Sequence, residues 1–446
     1  MSELKRTKMS VTEEKAILVG VLLPESNADP RDPLGELASL ATTAGAREVG
    51  RILQRRQRPD PGTFCGTGKA EEIAALAIRN EADVVLFDND LSPAQIGKLE
   101  KIINTKAKSP VNKGIKVLDR SELILDIFAT RAQTHEAKLQ VELAQMQYTY
   151  PRLTRMWGHL ERLASGASSG MGLGTRGPGE TQLEVDRRLV RDRISELRRD
   201  IERIQERKGR EVEARNRQHF TVCIVGYTNA GKSTLFNTLT GAGTYADDKL
   251  FATLDTKTRA WKLERGTDVM LSDTVGFVRD LPHHLVASFR ATLEEAVNAD
   301  LLLHVLDVGH PRARQQYESV HEVLTEIGAG GRPEVLLLNK VDTREGAAAY
   351  PEWRALMPGA VAVSAKTGEG LTQVAEMVLG HVRGTQRRVR VECETSDGKL
   401  IAFVRQHSTV LEESFDDRKA VLTTMMGQYT LQSLQKHPHA TVTVAN

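Results

Sequence analysis

The chain has 446 residues, of which 40% are hydrophobic and 27% charged, with 61 Lys and Arg against 59 Asp and Glu. At roughly 150 residues per domain this length predicts about three domains, and the composition excludes a globally disordered chain. A formal charge of +2 also excludes a uniformly basic nucleic-acid coat, so any RNA contact must come from local patches.

No apolar run approaches the 18 or so residues of a membrane helix, and no charged-then-apolar leader opens the chain. Cys65, Cys223 and Cys393 lie far apart and form neither a metal spacing nor a disulfide framework. The expectation is a cytoplasmic protein without a membrane span.

From the N-terminus, ILVGVLL at Ile17–Leu23 reads as a buried strand, followed by Leu34, Leu37, Leu40 and Ala41 at helical spacing. DVVLFD at Asp83–Asp88 and the run Ile115–Leu118 give two further strands. Strands alternating with helices predict an α/β subdomain with a parallel sheet over residues 1–130.

Residues 131–217 change pattern. Leu139, Leu143 and Met146 form one helical stripe, and Val190, Ile194, Leu197, Ile201 and Ile204 repeat at spacings of four and three. That seam predicts two long helices paired as a hairpin. The dense charge between Glu180 and Arg217 suits a solvated helix surface with i,i+4 pairs.

The segment joining the two helices, SGASSGMGLGTRGPGET at Ser165–Thr181, is too glycine-rich for a helix. Around it, Arg152, Arg155, Arg162 and Arg176 face a single acid, Glu161, with Trp157 among them. Arg152, Arg155, Trp157, Arg162 and Arg176 are the candidate rRNA contacts, a basic aromatic tip suited to probing RNA. A flexible connection with no ligand is the alternative.

Residues 218–384 return to strand and helix alternation through HFTVCIV, DVMLS, ADLLLHVLD, EVLLLNK and AVAVS, predicting a doubly wound G domain. Residues 385–446 carry VRVEC, KAVLTT and ATVTVA with a helix-like patch at Leu400–Phe403, predicting a small C-terminal α/β domain.

The sharpest chemistry lies at GYTNAGKS, Gly226–Ser233, a G-x-x-x-x-G-K-[ST] phosphate loop between a strand and a helix. Its glycines let backbone N–H groups wrap phosphates, and the helix N-terminus adds partial positive charge. The expected phosphate-binding set is Gly226, Tyr227, Thr228, Asn229, Ala230, Gly231, Lys232, Ser233 and Thr234. Lys232 should reach the β- and γ-phosphates while the Ser233 hydroxyl ligates Mg²⁺. DTVG, comprising Asp273, Thr274, Val275 and Gly276, ends the next strand; Asp273 should hold Mg²⁺ through water and the Gly276 N–H should bond the γ-phosphate.

NKVD then supplies Asn339, Lys340 and Asp342, and SAK supplies Ser364, Ala365 and Lys366. A carboxylate at Asp342 accepts from guanine N1–H and N2–H₂, whereas adenine would set a lone pair against it. The Ala365 N–H is placed to meet guanine O6. These motifs in this order predict a GTPase, with ATP binding the weaker reading. Thr253 in FATLD is the candidate switch threonine that ligates Mg²⁺ only when the γ-phosphate is present. Phe277 stands where Ras-like enzymes carry a water-orienting Gln, so hydrolysis must be slow or completed by another group. Asn229 either places its carbonyl near a K⁺ ion beside the phosphates or is an ordinary loop residue. The catalytic set is therefore Lys232, Thr253, Gly276 and Asn229.

FCGTGKAEEI (Phe64–Ile73), DNDLSPAQ (Asp88–Gln95), DRSELILDIFATRAQTHEAKLQVELAQ (Asp119–Gln145) and RGPGETQLEVDRR (Arg176–Arg188) resemble signatures of the HflX family of ribosome-associated GTPases. The resemblance covers nearly the whole chain, with the G motifs in family order. It implies an α/β subdomain, a helical hairpin, a G domain and a short C-terminal domain. The implied activity is GTP hydrolysis coupled to binding the large (50S) subunit and dissociating stalled or stressed 70S ribosomes, with the hairpin tip directed at 23S rRNA in the peptidyl transferase centre. Two departures stand out: FATLDTKTR carries Thr256 and Lys257 where Pro and Thr are usual, and the C-terminal segment has little to match.

The expected protein is thus a monomeric GTP/GDP switch acting on the ribosome. The competing class is an RNA-binding ribosome-assembly or RNA-remodelling GTPase/ATPase. A second nucleotide site in the N-terminal region would have to use GTGK at Gly66–Lys69, which lacks the full phosphate-loop spacing.

Overall fold

The computed structural model describes residues 11, 13–26, 28–106, 114–150, 182–216, 219–241, 251, 256–263, 268–274, 276–277, 295–384, 386–416, 418–427, 431, 434–435 and 440–444. Chain contacts group it into two compact units, one of Met1–Ile204 with Asp247–Asp255 and Val275–Thr292, the other holding the remainder. No helix among the described residues is long and apolar enough to cross a membrane.

The first unit is built on a four-stranded sheet in the order β2-β1-β3-β4, from β1 (Lys15–Leu22), β2 (Arg47–Arg55), β3 (Val84–Phe87) and β4 (Lys116–Leu118). Every pairing is parallel, as the alternation of strand and helix predicts. Parallel strands covered on both faces need continuous apolar runs, and VVLF of β3 is buried at all four positions. The helices α1 (Gly35–Ala44), α4 (Arg120–Arg131) and α5 (His135–Thr149) share one apolar cluster with Leu18, Val84 and Leu86. The opposite cluster gathers Ile17, Val19, Val85 and Phe87 with α2 (Thr67–Arg79) and α3 (Pro93–Lys106). Cys65 belongs to this second cluster, and burial pushes its thiol up to about 11, which keeps it inert.

Among the buried polar residues of this unit, an ion group joins three elements. Arg120, at the start of α4, is 2% exposed and donates to Glu36 of α1 at 2.8 Å and to Asp88 after β3 at 2.6 Å. Beside it, Asp119 caps α4 through the Glu122 N–H at 2.9 Å and accepts the Tyr148 hydroxyl at 2.5 Å from α5. The loops after β3 and β4 are therefore fixed by charge as well as by packing.

Leu139, Leu143 and Met146 of α5 pack with Val190, Leu197 and Ile201 of α6 (Gln182–Asn216), flanked by Ile194 and Ile204. The apolar seam read from the four-and-three spacing is the contact observed. Residues 151–181, with Arg152, Arg155, Trp157, Arg162 and Arg176, lie outside the described residues.

The second unit contains a six-stranded sheet in the order β10-β9-β8-β5-β7-β6. Its strands are β5 (Phe220–Gly226), β6 (Lys257–Lys262), β7 (Asp268–Asp273), β8 (Leu301–Asp307), β9 (Glu334–Asn339) and β10 (Val361–Ala362). All pairings are parallel except β6 with β7. Along β8 and β9 the side chains alternate: Leu303, Val305 and Leu337 enter one cluster with α7 (Lys232–Thr240) and α10 (Leu371–Gly384). Leu306, Leu336 and Leu338 enter the other with α8 (Ala313–Glu326) and α9 (Arg344–Leu356).

The same unit ends in an antiparallel sheet in the order β12-β13-β11-β14, from β11 (Gln386–Glu394), β12 (Thr409–Phe415), β13 (Lys419–Gly427) and β14 (Thr441–Val444). Leu400, Ile401 and Val404 of α11 (Gly398–His407) cover Val389, Val391 and Leu422. The helix-like patch at Leu400–Phe403 is the middle of this helix.

Candidate nucleotide-binding site

β5 is buried along its whole length and delivers the phosphate loop at the C-terminal end of the sheet, between β7 and β8. This is the end where open α/β sheets bind ligands. Two positions demand glycine. Gly226 has φ +149 and a Cβ there would stand 2.4 Å from the Val305 carbonyl oxygen; Gly231 has φ +101 and a Cβ would stand 2.3 Å from Asn339 Nδ2. Between them Asn229 is exposed with φ 62, a left-handed conformation that Asn tolerates better than most residues. The choice of Asn at this position therefore has a backbone reason independent of any ion.

Lys232 opens α7 and is 6% exposed, its Nζ donating to the Tyr227 carbonyl at 2.7 Å. Burial pushes its ammonium down to about 8 against the opposing pull of Asp273. An anion in the loop would restore the charge that burial disfavours. Tyr227, Thr228 and Ala230 are buried too, and Thr228 Oγ1 has no hydrogen-bond partner among the described residues. A buried hydroxyl of that kind is accounted for by a ligand that accepts from it. Ser233 and Thr234 are half-buried in the first turn of α7.

Asp273 ends β7 at 1% exposure, and Thr274 beside it donates from Oγ1 to the Ile224 carbonyl at 2.7 Å. A serine hydroxyl and a carboxylate are hard oxygen donors, the set that suits Mg²⁺ rather than a soft metal. Gly276 and Phe277 are buried, whereas Val275 and Thr253 lie outside the described residues. Of FATLD only Phe251 is described; it is 2% exposed, its ring 4.6 Å from that of Phe128 in the apolar cluster of the first unit.

Asn339 holds the loops together. Its Nδ2 donates to the Ala230 carbonyl of the phosphate loop at 2.7 Å, while its Oδ1 accepts the Ala365 N–H of the SAK loop at 3.0 Å. Both bonds are buried, so Asn339→Ala strands a carbonyl and an amide at about 1–3 kcal/mol each. GDP affinity of that variant is expected to fall at least roughly tenfold, with a lower thermal midpoint of the second unit. Wild-type affinity in a titration would show that the loops hold their places without the clamp.

The Ala365 N–H, assigned from the sequence to guanine O6, is engaged by Asn339 in this structure. Ser364 is fully buried and accepts the Thr367 N–H through Oγ at 3.1 Å, while Lys366 and Asp342 are exposed. Two supporting residues escaped the sequence reading. Asp307, closing β8, pairs with Lys340 at 2.7 Å, and Thr238 of α7 donates to the Ala365 carbonyl at 2.9 Å. An acid ending the apolar strand LLLHVLD is a usable signal for the first. A threonine inside a helix gives none for the second.

The sequence profiles of three families match the chain: "GTP-binding GTPase N-terminal" over 31–129, "GTP-binding GTPase Middle Region" over 131–216, and "50S ribosome-binding GTPase" over 221–340. The GTPase HflX of Lacrimispora saccharolytica is 40% identical over 406 residues, 91% of this chain and 92% of its own. The GTPase HflX of Escherichia coli is 41% identical over 410 residues, 92% of each chain. A crystal structure of a GTP-binding protein from the archaeon Sulfolobus solfataricus in complex with GDP is 23% identical, covering 82% of this chain and 98% of that one, with a TM-score of 0.44 that is too low to bear on the site. The phosphate loop, its Asn339 clamp and this extent of identity together place the chain in the HflX family of GTPases.

Proposed function

We propose that this GTPase is a cytoplasmic, monomeric factor that binds the large (50S) ribosomal subunit and dissociates stalled or stressed 70S ribosomes in a GTP-dependent way. The single observation that carries the nucleotide half of this reading is the buried Asn339 bridge between phosphate loop and base loop, which prepares one pocket for both ends of a nucleotide. The ribosomal half is supported by the family description of residues 221–340 and by the basic composition of 151–179.

In this reading Lys232, the α7 N-terminus and the loop amides neutralise the β- and γ-phosphates, and Asp342 selects guanine. Ser233, Asp273 and Thr253 would hold Mg²⁺, which would supply charge stabilisation at the phosphates. Gly276 offers its N–H to the γ-phosphate.

Asn229 remains the candidate K⁺ ligand. If it serves that role, hydrolysis runs faster in KCl than in NaCl at equal ionic strength, and Asn229→Ala removes the difference. Equal wild-type rates in the two salts would leave Asn229 with its backbone role alone.

The arginines of the tip supply the RNA contact. Arg152→Ala with Arg155→Ala is expected to leave GDP binding unchanged, to abolish splitting of 70S ribosomes and to weaken binding to isolated 50S subunits. The salt slope of that binding should fall by about one for each lost phosphate contact. Wild-type splitting by the double variant would move the contact elsewhere, the first alternative being the Lys98–Lys116 stretch with six Lys against one Glu.

A further inference from the structure

We infer that His304, His321 and Glu334 form a binding site for a divalent transition-metal ion of the Zn²⁺ class, clipping α8 to strands β8 and β9. Three elements bring these residues together: His304 lies mid-way along β8, His321 on α8 and Glu334 at the first position of β9. Their ligand-type atoms all lie within 4.8 Å of one another. Glu334 Oε1 is 2.9 Å from His304 Nδ1 and 3.4 Å from His321 Nε2. Tetrahedral Zn²⁺ with bonds of about 2.0–2.1 Å sets neighbouring ligands about 3.3 Å apart, so the two measured separations bracket the spacing required.

The cluster is short of hydrogen bonds for its depth. His304 is 0% exposed, and His321 Nε2 is a buried atom with no hydrogen-bond partner among the described residues. A buried polar atom left in this state calls for a further ligand. His321 Nε2 faces the same carboxylate oxygen without bonding it, the arrangement of two groups waiting for a shared cation.

The donor types choose the metal. Two imidazoles and one carboxylate suit Zn²⁺ and its borderline neighbours, whereas Mg²⁺ prefers an all-oxygen shell and is served by the phosphate-loop residues instead. The rings are also held in place before any ion arrives. Tyr317, one turn before His321 on α8, stacks on His304 at 5.2 Å with planes 6° apart and meets His321 edge-on at 4.4 Å. His304 is central in β8, so an ion here ties the helix α8 to the sheet. Three protein ligands leave a fourth position to water.

The test uses the full chain without a histidine tag, saturated with Mg²⁺ and GDP so that the nucleotide site is filled. After treatment with a chelator it is titrated with Zn²⁺, and separately with Co²⁺ for its visible absorption. The expected result is one equivalent of Zn²⁺ retained through gel filtration, a tetrahedral Co²⁺ spectrum, and a thermal midpoint that rises with Zn²⁺. His321→Ala and Glu334→Gln each weaken binding by at least the roughly 10–100-fold that loss of even an outer partner costs, with GDP affinity unchanged. These two positions are partly exposed, and the half of the cluster on β8 is left intact so that the fold survives. Failure of the wild type to retain Zn²⁺, or equal retention by both variants, would overturn the site and leave the cluster as hydrogen-bonded packing.

Discussion

Replacing Arg120 with alanine is expected to destabilise the first unit by about 3–5 kcal/mol, because removing one partner of a buried ion group leaves its counter-charges desolvated. Both of its carboxylate partners are affected at once, since Glu36 and Asp88 are only 8% and 9% exposed at the side chain. The three charges connect α1, the loop after β3 and the start of α4, so their loss loosens both layers on that side of the sheet. Unfolding of a chain with several domains is not two-state, so amide exchange within β1, β3 and α4 is the suitable measurement. Protection in those elements should drop by a factor of 10² or more, on the order of the energy lost. The surface pair Lys15–Glu81 is the control: its partners are 39% and 82% exposed, and Glu81→Gln should leave exchange unaltered. Equal protection in wild type and Arg120→Ala would mean that the triad is dispensable to the fold.

Asp342→Asn is expected to reverse the base preference. The residue is exposed and lies in the loop between β9 and α9. The change should therefore leave the unfolding profile unaltered and act only once a base covers it. The new amide presents a donor where guanine N2–H₂ also donates, and a mispaired buried polar group costs about 1–3 kcal/mol. That predicts a roughly ten- to hundredfold loss of GDP affinity, with a gain for xanthosine diphosphate, whose C2 carbonyl accepts from the amide. Competition of the two nucleotides against a fluorescent GDP analogue reads both changes. Unaltered GDP affinity would remove Asp342 from the base site.

The phosphate loop was legible because its chemistry is local. Eight consecutive residues carry the two glycines whose backbone no other residue can adopt, and the lysine that follows them opens the helix. Buried parallel strands were legible for a related reason, since strands covered on both faces must be apolar throughout. The strands missed in the sequence reading were β2, β6 and β12, all edges of their sheets. Ile52 in REVGRILQR and Trp261 in KTRAWK are each the one fully buried residue of their strand, and TVLEESF has none. No alternation was there to read.

Long-range polar contacts left still less trace. Asn339 bonds residues 109 and 26 positions away, Arg120 bonds residues 84 and 32 away, and neither distance follows from spacing. The asparagine of NKVD is expected from the sequence to belong to the nucleotide site, whereas its bonds between the two loops follow only from the structure. His304, His321 and Glu334 are spread over three elements in an order that matches no metal motif, so only the fold assembles them. By contrast the α5–α6 seam was fully encoded, because one spacing repeated over two heptads can face only one way.

In the proposed function, bound GTP is what lets this chain separate ribosomal subunits. Sedimentation of 70S ribosomes through a sucrose gradient, with the full chain and either GTP, GDP or a non-hydrolysable GTP analogue, tests it most directly. The prediction is 50S and 30S peaks with GTP and with the analogue, the chain co-migrating with 50S under the analogue, and intact 70S particles with GDP. Intact 70S particles under all three nucleotides, with the chain left at the top of the gradient, would contradict it.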